Sequence, residues 1–105
     1  MSNSPMQPTA ATAIECAIRT APQSGYVKIE AVARSVSPAS GRYRFLVDKQ
    51  SDTGRSSNTQ SGSFVLQAGQ EQVLTTIVLD GSAAGHYRAE LMLDSDHGRQ
   101  TCTAP

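Results

Sequence analysis

The chain of 105 residues has the size of one domain, with room for a single core. Nine lysine and arginine residues balance nine acidic residues, so the charge gives no reason to expect nucleic acid as a partner. No apolar run approaches the ~20 residues that a membrane helix needs, and we expect no membrane insertion. Only 38% of the residues are hydrophobic, so a covalent link would add much to the stability of such a domain.

Alternation of apolar and polar residues runs through most of the chain and predicts β-strands. Residues 1–13, rich in Pro, Thr and Ala, are predicted to form a flexible tail, and residues 14–105 a single domain. Seven strands are predicted, at residues 13–20, 26–35, 42–50, 63–67, 71–80, 87–94 and 99–104. The polar run SDTGRSSNTQSG at 51–62 is predicted to be a long connection. In the fifth strand, the residues expected to share one face are Val73, Thr75, Ile77 and Leu79.

Seven short antiparallel strands in about 100 residues predict an all-β fold, a seven-stranded immunoglobulin-like β-sandwich. The chain has no tryptophan, and its two cysteines do not lie in the second and sixth strands, so it is not an antibody-type domain. Tyr87 follows the Gly-rich corner DGSAAGH, where a tyrosine corner and a half-buried core tyrosine both fit the pattern.

The two cysteines, Cys16 and Cys102, lie in the first and the last predicted strand. These strands run along neighbouring edges of an immunoglobulin-like sandwich, and Cys16 is in phase with Ile14 and Ile18, which are expected to point inward. A structural disulfide is therefore expected, and it implies an oxidising compartment. Two buried free thiols are the alternative. A redox role needs a close cysteine pair or a helix terminus, and the sequence pattern contains neither.

Residues with the spacing of a catalytic site are not found, and we expect no enzyme activity and no cofactor. His86 and His97 lie in turns or at strand edges; for His97, a site with Asp94 or Asp96 is the alternative to a role as a polar turn residue. The run GRSSNTQSG lacks the Lys-Ser/Thr ending of a phosphate loop. The cysteine spacing does not fit a metal site, so no metal is expected.

The outward positions of the third, sixth and seventh strands, which share a sheet in this fold, form a candidate partner-binding surface. Leu46 and Met92 add apolar area to it. The arginines predicted to make this surface basic, against the single glutamate Glu90, are Arg42, Arg44, Arg88 and Arg99. Two interpretations stay open: charges that keep strand exteriors soluble and guard sheet edges, or a weak, salt-sensitive surface for an acidic or polar partner. The sheet edges are also able to receive a strand from another chain.

Four segments carry a family resemblance: IECAIRT, GYVKIEAVARS, SGRYRFLVDKQSDTGRSSNTQSGSF and GHYRAELMLDSDHGRQTC. Over about residues 14–103 the chain resembles the periplasmic curli-assembly proteins CsgC and CsgH, and CsgH more closely. The resemblance implies an immunoglobulin-like fold, a periplasmic location and chaperone-like inhibition of amyloid formation by curli subunits at low ratios of inhibitor to subunit. The CsgC branch is associated with a Cys-X-Cys motif, which IECAI and QTCTA lack, so the two separated cysteines fit a structural bridge better than thiol exchange.

The partner that the resemblance implies is the curli major subunit, an amyloidogenic curlin, with the minor subunit as a second candidate. A basic, solvated β-face that makes brief contacts suits subunits rich in Gly, Gln, Asn and Ser, because these residues offer little to a hydrophobic pocket. We expect a periplasmic monomer whose signal peptide has been removed, since the opening MSNSPMQPTAATA lacks the pattern of a signal peptide.

Two other functions are alternatives to inhibition of curli polymerisation. The alternative is a structural or adhesive immunoglobulin-like interaction module of the bacterial envelope, which would bind a stable partner stoichiometrically. A small periplasmic redox protein is a third, and the cysteine spacing opposes it.

Overall fold

The computed structural model describes residues 14–52 and 54–104, and in this part of the chain it contains seven β-strands. The predicted flexible tail at residues 1–13 lies outside the described residues. The strands are β1 Ile14–Gln23, β2 Tyr26–Ser35, β3 Ala39–Ser51, β4 Gly54–Leu66, β5 Glu71–Asp80, β6 Tyr87–Ser95 and β7 Gly98–Ala104. None of the described helices is long and apolar enough to cross a membrane.

The strands form two antiparallel sheets that share one core. One sheet has three strands in the order β1-β2-β5, and the other has four in the order β4-β3-β6-β7. The predicted seven-stranded immunoglobulin-like β-sandwich is therefore confirmed. The third, sixth and seventh strands share a sheet, as predicted, and β4 joins that sheet as the outer neighbour of β3.

The polar run at 51–62 is predicted to be a connection, but its residues 54–62 belong to β4, the second strand of a long hairpin. β3 and β4 pair without interruption from Ala39↔Leu66 to Ser51↔Gly54. The prediction was wrong because residues 54–59 of β4 are exposed on both faces, so no alternation marks the strand. Residues 54–59 form a strand because their backbone is hydrogen-bonded to β3. Only the second half of β4 has side chains that are buried against the core.

Inward side chains of both sheets build the core between them. The largest of these fully buried residues are Phe45, Ile14, Ile29, Leu66, Leu91 and Leu93. In β5, the pairing with β2 shifts between Ala31 and Val32, so Leu74 packs against the core. Val73, expected to face inward, is 41% exposed, because a β-bulge changes the phase of a strand by one residue.

The corner between β5 and β6 contains a short 3-10 turn, Gly81–Ala83. The Asp80 carboxylate accepts a hydrogen bond from the backbone N–H of Ser82 at 2.6 Å. This hydrogen bond holds the pKa of Asp80 below its ordinary value. Tyr87 follows the corner, is half-buried and packs against the core. This position agrees with the prediction of a half-buried core tyrosine.

Gly41 lies where the backbones of β3 and β6 come close together. A Cβ atom at this position would stand 2.2 Å from the carbonyl oxygen of Asp94 and 2.6 Å from the Cα of Ser95. Both contacts are with backbone, which moves only if the sheet itself is distorted. We expect the substitution Gly41→Ala to lower the free energy of unfolding by roughly 1–3 kcal/mol, measured by denaturant unfolding.

Gly62→Ala is the matched control for Gly41→Ala. A Cβ at Gly62 would meet the ring of Tyr43 at 3.0 Å, and this half-buried side chain is able to shift. The substitution also removes the backbone freedom that glycine has in the unfolded chain. Its cost is therefore expected to be smaller than that of Gly41→Ala, and equal costs for the two variants would contradict the close-approach explanation.

Candidate partner-binding face

Cys16 and Cys102 form a disulfide that connects the two sheets. Cys16 lies on β1 beside Ala33 of β2, and Cys102 lies on β7 beside Leu91 of β6. Their Cα atoms are 6.1 Å apart, a separation that suits a disulfide. Both cysteines are half-buried and pack against the core. The disulfide therefore joins the first strand to the last along the edge where the two sheets meet.

The outer side of the four-stranded sheet brings the four predicted arginines onto one surface. Two come from β3, one from β6 and one from β7, and all four are exposed. We call this surface the arginine face; its charged and apolar residues are Arg42, Arg44, Leu46, Asp48, Arg55, Arg88, Glu90, Met92, Asp94 and Arg99.

Cross-strand pairing sets the order of residues on the arginine face. Arg42 lies opposite Asp94, and Asp94 lies opposite Arg99. The Nη2 atom of Arg99 is 3.3 Å from Oδ2 of Asp94. In the next row Arg44 lies opposite Met92, an apolar neighbour without charge. Two of the predicted arginines thus border one carboxylate, whereas Arg44 stands beside a thioether.

The arginine face carries more carboxylates than the sequence pattern predicts. Asp48 and Asp94 are exposed on it together with Glu90, so the count of a single glutamate was wrong. Arg55 adds a fifth arginine, since β4 extends across the polar run and pairs Arg55 with Gln50. Five arginines against three carboxylates leave this face with a net charge of two positive. Sequence reasoning missed Arg55 because its segment was interpreted as a connection, although its phase matches the outward phase of β3.

Four arginines of this face take part in no ion pair within residues 14–52 and 54–104: Arg42, Arg44, Arg55 and Arg88. Asp48, the cross-strand neighbour of Arg88, instead accepts a hydrogen bond from the hydroxyl of Ser57. An exposed guanidinium without a partner in its own chain is free to donate paired hydrogen bonds to carboxylate or amide oxygens of another molecule.

The outer side of the three-stranded sheet differs, because each lysine and arginine described on it has a carboxylate partner. These pairs are Arg19–Glu71, Lys28–Glu30 and Arg34–Glu15. The hydrogen bond to Glu15 raises the pKa of Arg34 above its ordinary value. The charges of this sheet therefore satisfy one another, whereas most of the arginines on the other sheet do not find a partner within the described chain.

Two shallow hollows interrupt the arginine face. One, of about 240 Å³, is lined by Arg44, Leu46, Glu90 and Met92. The other, of about 210 Å³, lies beside Leu46, between Asp48 and Arg88. Both volumes are smaller than those of typical small-molecule pockets. Two larger hollows, of about 330 and 550 Å³, lie at the end of the face beside Asp48 and Arg55 and are wide open to solvent. The face is thus shaped for a flat, extended partner with polar groups, and its half-buried Leu46 and Met92 add limited apolar contact.

His97 lies at the turn between β6 and β7 and connects it to the segment before β3. Its Nε2 atom is 2.8 Å from the carbonyl oxygen of Pro38 and 4.0 Å from Oδ1 of Asp96. The Asp96 carboxylate accepts a hydrogen bond from the backbone N–H of Ser40 at 3.1 Å. These contacts tie two loops together. Among the described residues, no three metal-ligating side chains come close enough to hold an ion.

The geometry defines a class of protein: a small immunoglobulin-like β-sandwich, closed by a disulfide between its terminal strands, with one open arginine face. A family model, CsgH protein, matches residues 15–104. The chain belongs to the CsgH family. No curated protein sequence matches it significantly.

Two solved structures are similar to this protein. The solution structure of R. palustris CsgH shares 30% identity and superposes with a TM-score of 0.74, covering 86% of this chain and 89% of that one. The E. coli curli protein CsgC shares 18% identity with a TM-score of 0.66, covering 88% of this chain and 98% of that one. The second likeness is one of fold. In each comparison the shared β-sandwich covers nearly the whole length of the two chains compared.

Proposed function

We propose that this protein is a periplasmic, chaperone-like inhibitor that keeps curli subunits from polymerising into amyloid too early. Membership of the CsgH family, with a solved relative at 30% identity, supports a curli-associated function. The disulfide suits an extracytoplasmic location, where thiols are oxidised. The proposed partner is the major curli subunit, with the minor subunit as a second target, and the inhibitor acts as a monomer without enzyme activity or cofactor.

The observation that carries the mechanism is the difference between the two outer faces of the sandwich. Ion pairs satisfy the cations of the three-stranded sheet, whereas Arg42, Arg44, Arg55 and Arg88 of the other sheet form no ion pair among the described residues. Exposed charges of this kind speed up encounter and orient a partner more than they tighten a complex. Contacts on the arginine face are therefore brief, as an inhibitor that acts on many subunits in turn requires.

The shape of the face agrees with this mechanism. Amyloid grows by adding extended strands whose backbone groups pair with the strand before. A growing strand is flat and polar, and the arginine face offers a flat sheet with shallow hollows instead of a closed pocket. Guanidinium groups hold carboxylate and amide oxygens of such a strand without burying it. The inhibitor holds a monomer or an early nucleus briefly and releases it again.

Thioflavin-T kinetics of a purified curli major subunit test the proposal. With about one inhibitor to a hundred subunits, we expect a long delay before fluorescence rises, because a nucleus is rare and is blocked by few inhibitor molecules. Heat-unfolded, reduced inhibitor at the same concentration is the control. An unchanged curve at that ratio and again at equal concentration would contradict the proposal and favour the adhesive module, which binds one stable partner.

A further inference from the structure

β4 is the outermost strand of its sheet, so one side of its backbone has no hydrogen-bonded neighbour among the described residues. Its polar segment, residues 54–63 with the sequence GRSSNTQSGS, is about 34 Å long as an extended strand. Proteins guard such edges with lysine, proline or a β-bulge, because an open edge pairs with other chains. The polar segment contains no lysine and no proline, and its register with β3 shows no bulge.

The other edges of the two sheets are better protected. β1 carries Pro22, and β7 is only seven residues long and is tied to β1 by the disulfide. β5 is interrupted by the bulge at Leu74. Contact between β4 and the other sheet occurs at Gln60, whose side-chain oxygen accepts a hydrogen bond from the hydroxyl of Thr75. Residues 54–59 lie beyond this contact and are exposed on both faces.

We infer that the free edge of the polar segment receives an extended strand from another protein, rich in Ser, Thr, Asn and Gln and with carboxylates on one face. This inference rests on the proposed function and deepens it. It places a segment of the partner beside β4, as an added fifth strand of this sheet. It also gives the chemistry of the segment that fits there.

The side chains of the polar segment select a polar strand. Its outward residues include Ser57, Thr59 and Ser61, and its inward residues include Ser56 and Asn58. Directly opposed hydroxyl and amide side chains hydrogen-bond across strands, and stacked amides form ladders along a sheet. An apolar strand would find no apolar neighbour along residues 54–59, because every side chain there is polar and exposed.

The arginine face adds the preference for carboxylates. In the cross-strand rows, Ser61 stands between Arg44 and the free edge, and Ser63 stands between Arg42 and the edge. An added strand would lie two strand spacings from β3, about 10 Å away. Since the serine side chains are short, the long arginine side chains are able to lean across them toward carboxylates on the outward face of the added strand.

A second copy of this chain fits the edge less well. Pairing β4 with β4 of another copy would place two arginine faces side by side in one continuous sheet. Each face carries a net charge of two positive, and like charges across an interface disfavour association. A strand with outward carboxylates is attracted instead, because its negative charge complements the arginines.

Backbone amide exchange of the full chain, followed by NMR, tests the inference. The probe is a short synthetic peptide of Ser, Thr, Asn and Gln with glutamate at two alternate positions, and its control keeps the length and the two glutamates but has proline at the positions between them. We expect the peptide to slow exchange about tenfold at every second residue of the polar segment, the residues whose N–H points away from β3. The control peptide, which cannot pair as a strand, is expected to leave exchange unchanged.

The double variant Arg42→Gln/Arg44→Gln removes two positive charges of the arginine face and leaves the backbone edge of β4 unchanged, so it tests the carboxylate preference alone. It is expected to need a roughly tenfold higher peptide concentration for the same protection, while an equal concentration would overturn the carboxylate preference. Unchanged exchange in β4, or protection at β1, β5 or β7 instead, would overturn the docking site. Protection that appears without peptide and grows with protein concentration would assign the edge to a second copy.

These outcomes are independent of the proposed function, because no curli subunit enters the exchange experiment. Absent protection together with intact inhibition of thioflavin-T kinetics would reject the edge and leave the inhibitor standing. Protection together with absent inhibition would reject the inhibitor and leave a strand-binding edge.

Discussion

Replacing both Cys16 and Cys102 with alanine is expected to lower the free energy of unfolding by about 4 kcal/mol. The disulfide closes a loop with a sequence separation of 86 residues, and the entropy that it removes from the unfolded chain is worth about 4–5 kcal/mol at most. Domains of this size have a total stability of roughly 5–10 kcal/mol, so the loss takes away a large part of it.

The structural reason lies at the edge that the disulfide closes. β1 pairs with β2 alone in its sheet, and β7 pairs with β6 alone in the other. Terminal strands are the first to separate from a sheet, and here each has one neighbour. Without the link between them, β1 and β7 would open together with the part of the core that Ile14 covers.

Guanidinium unfolding followed by circular dichroism measures the effect, and a fall of the thermal midpoint by roughly 15–30 °C is expected with it. Reduced wild-type protein should match the double variant. Thr101→Ala and Thr103→Ala, two exposed changes on β7, serve as controls and should each cost less than about 0.5 kcal/mol. A loss under about 1 kcal/mol in the double variant would show that packing alone holds the terminal strands.

The fold followed from the sequence wherever one side of a strand is buried and the other is not. Phe45 and Val47 on β3 and Leu91 and Leu93 on β6 alternate with exposed or half-buried residues, and this period marks both strands and their inward faces. The pattern fails where burial does not depend on the face. Residues 54–59 are exposed on both, so they give no period, and their strand exists only through pairing with β3.

The candidate site could be predicted in part for the same reason. Arg42 and Arg44 belong to a strand with a clear inward face, so their outward direction followed from it. Arg55 belongs to the strand without a period and was missed. Ion pairing is a further property that alternation does not reveal, because Arg19 reaches Glu71 across the intervening strand β2, a diagonal contact that only the folded sheet defines.

Reversing four charges of the arginine face is expected to remove the delay of curli polymerisation at low ratios of inhibitor to subunit. The variant is Arg42→Glu/Arg44→Glu/Arg88→Glu/Arg99→Glu, and it changes the face from two positive charges to six negative charges. Attraction of outward carboxylates on the partner becomes repulsion in the three rows of the sheet that contain these four residues. We expect at least a tenfold rise in the inhibitor concentration needed for half the wild-type delay, measured with thioflavin T.

A double variant, Arg42→Glu/Arg44→Glu, tests whether the position of the charge matters as well as its amount. It lowers the net charge of the protein by four. The matched control lowers the charge equally at exposed residues of the opposite sheet and its β1–β2 turn, with Gln23→Glu/Ser24→Glu/Thr76→Glu/Val78→Glu. If the arginine face binds the partner, the double variant loses inhibition and the control keeps it.

Circular dichroism and the thermal midpoint have to match wild type for these comparisons, since Arg99 loses its ion pair with Asp94 in the quadruple variant. Surface pairs of this kind contribute little to stability, so folding is expected to survive. Equal loss of inhibition in the double variant and its control would mean that net charge acts at long range, without a defined face. Full inhibition by the folded quadruple variant would exclude the arginine face, and inhibition would then have to come from contacts other than these charges, with the backbone edge of β4 as the next to test.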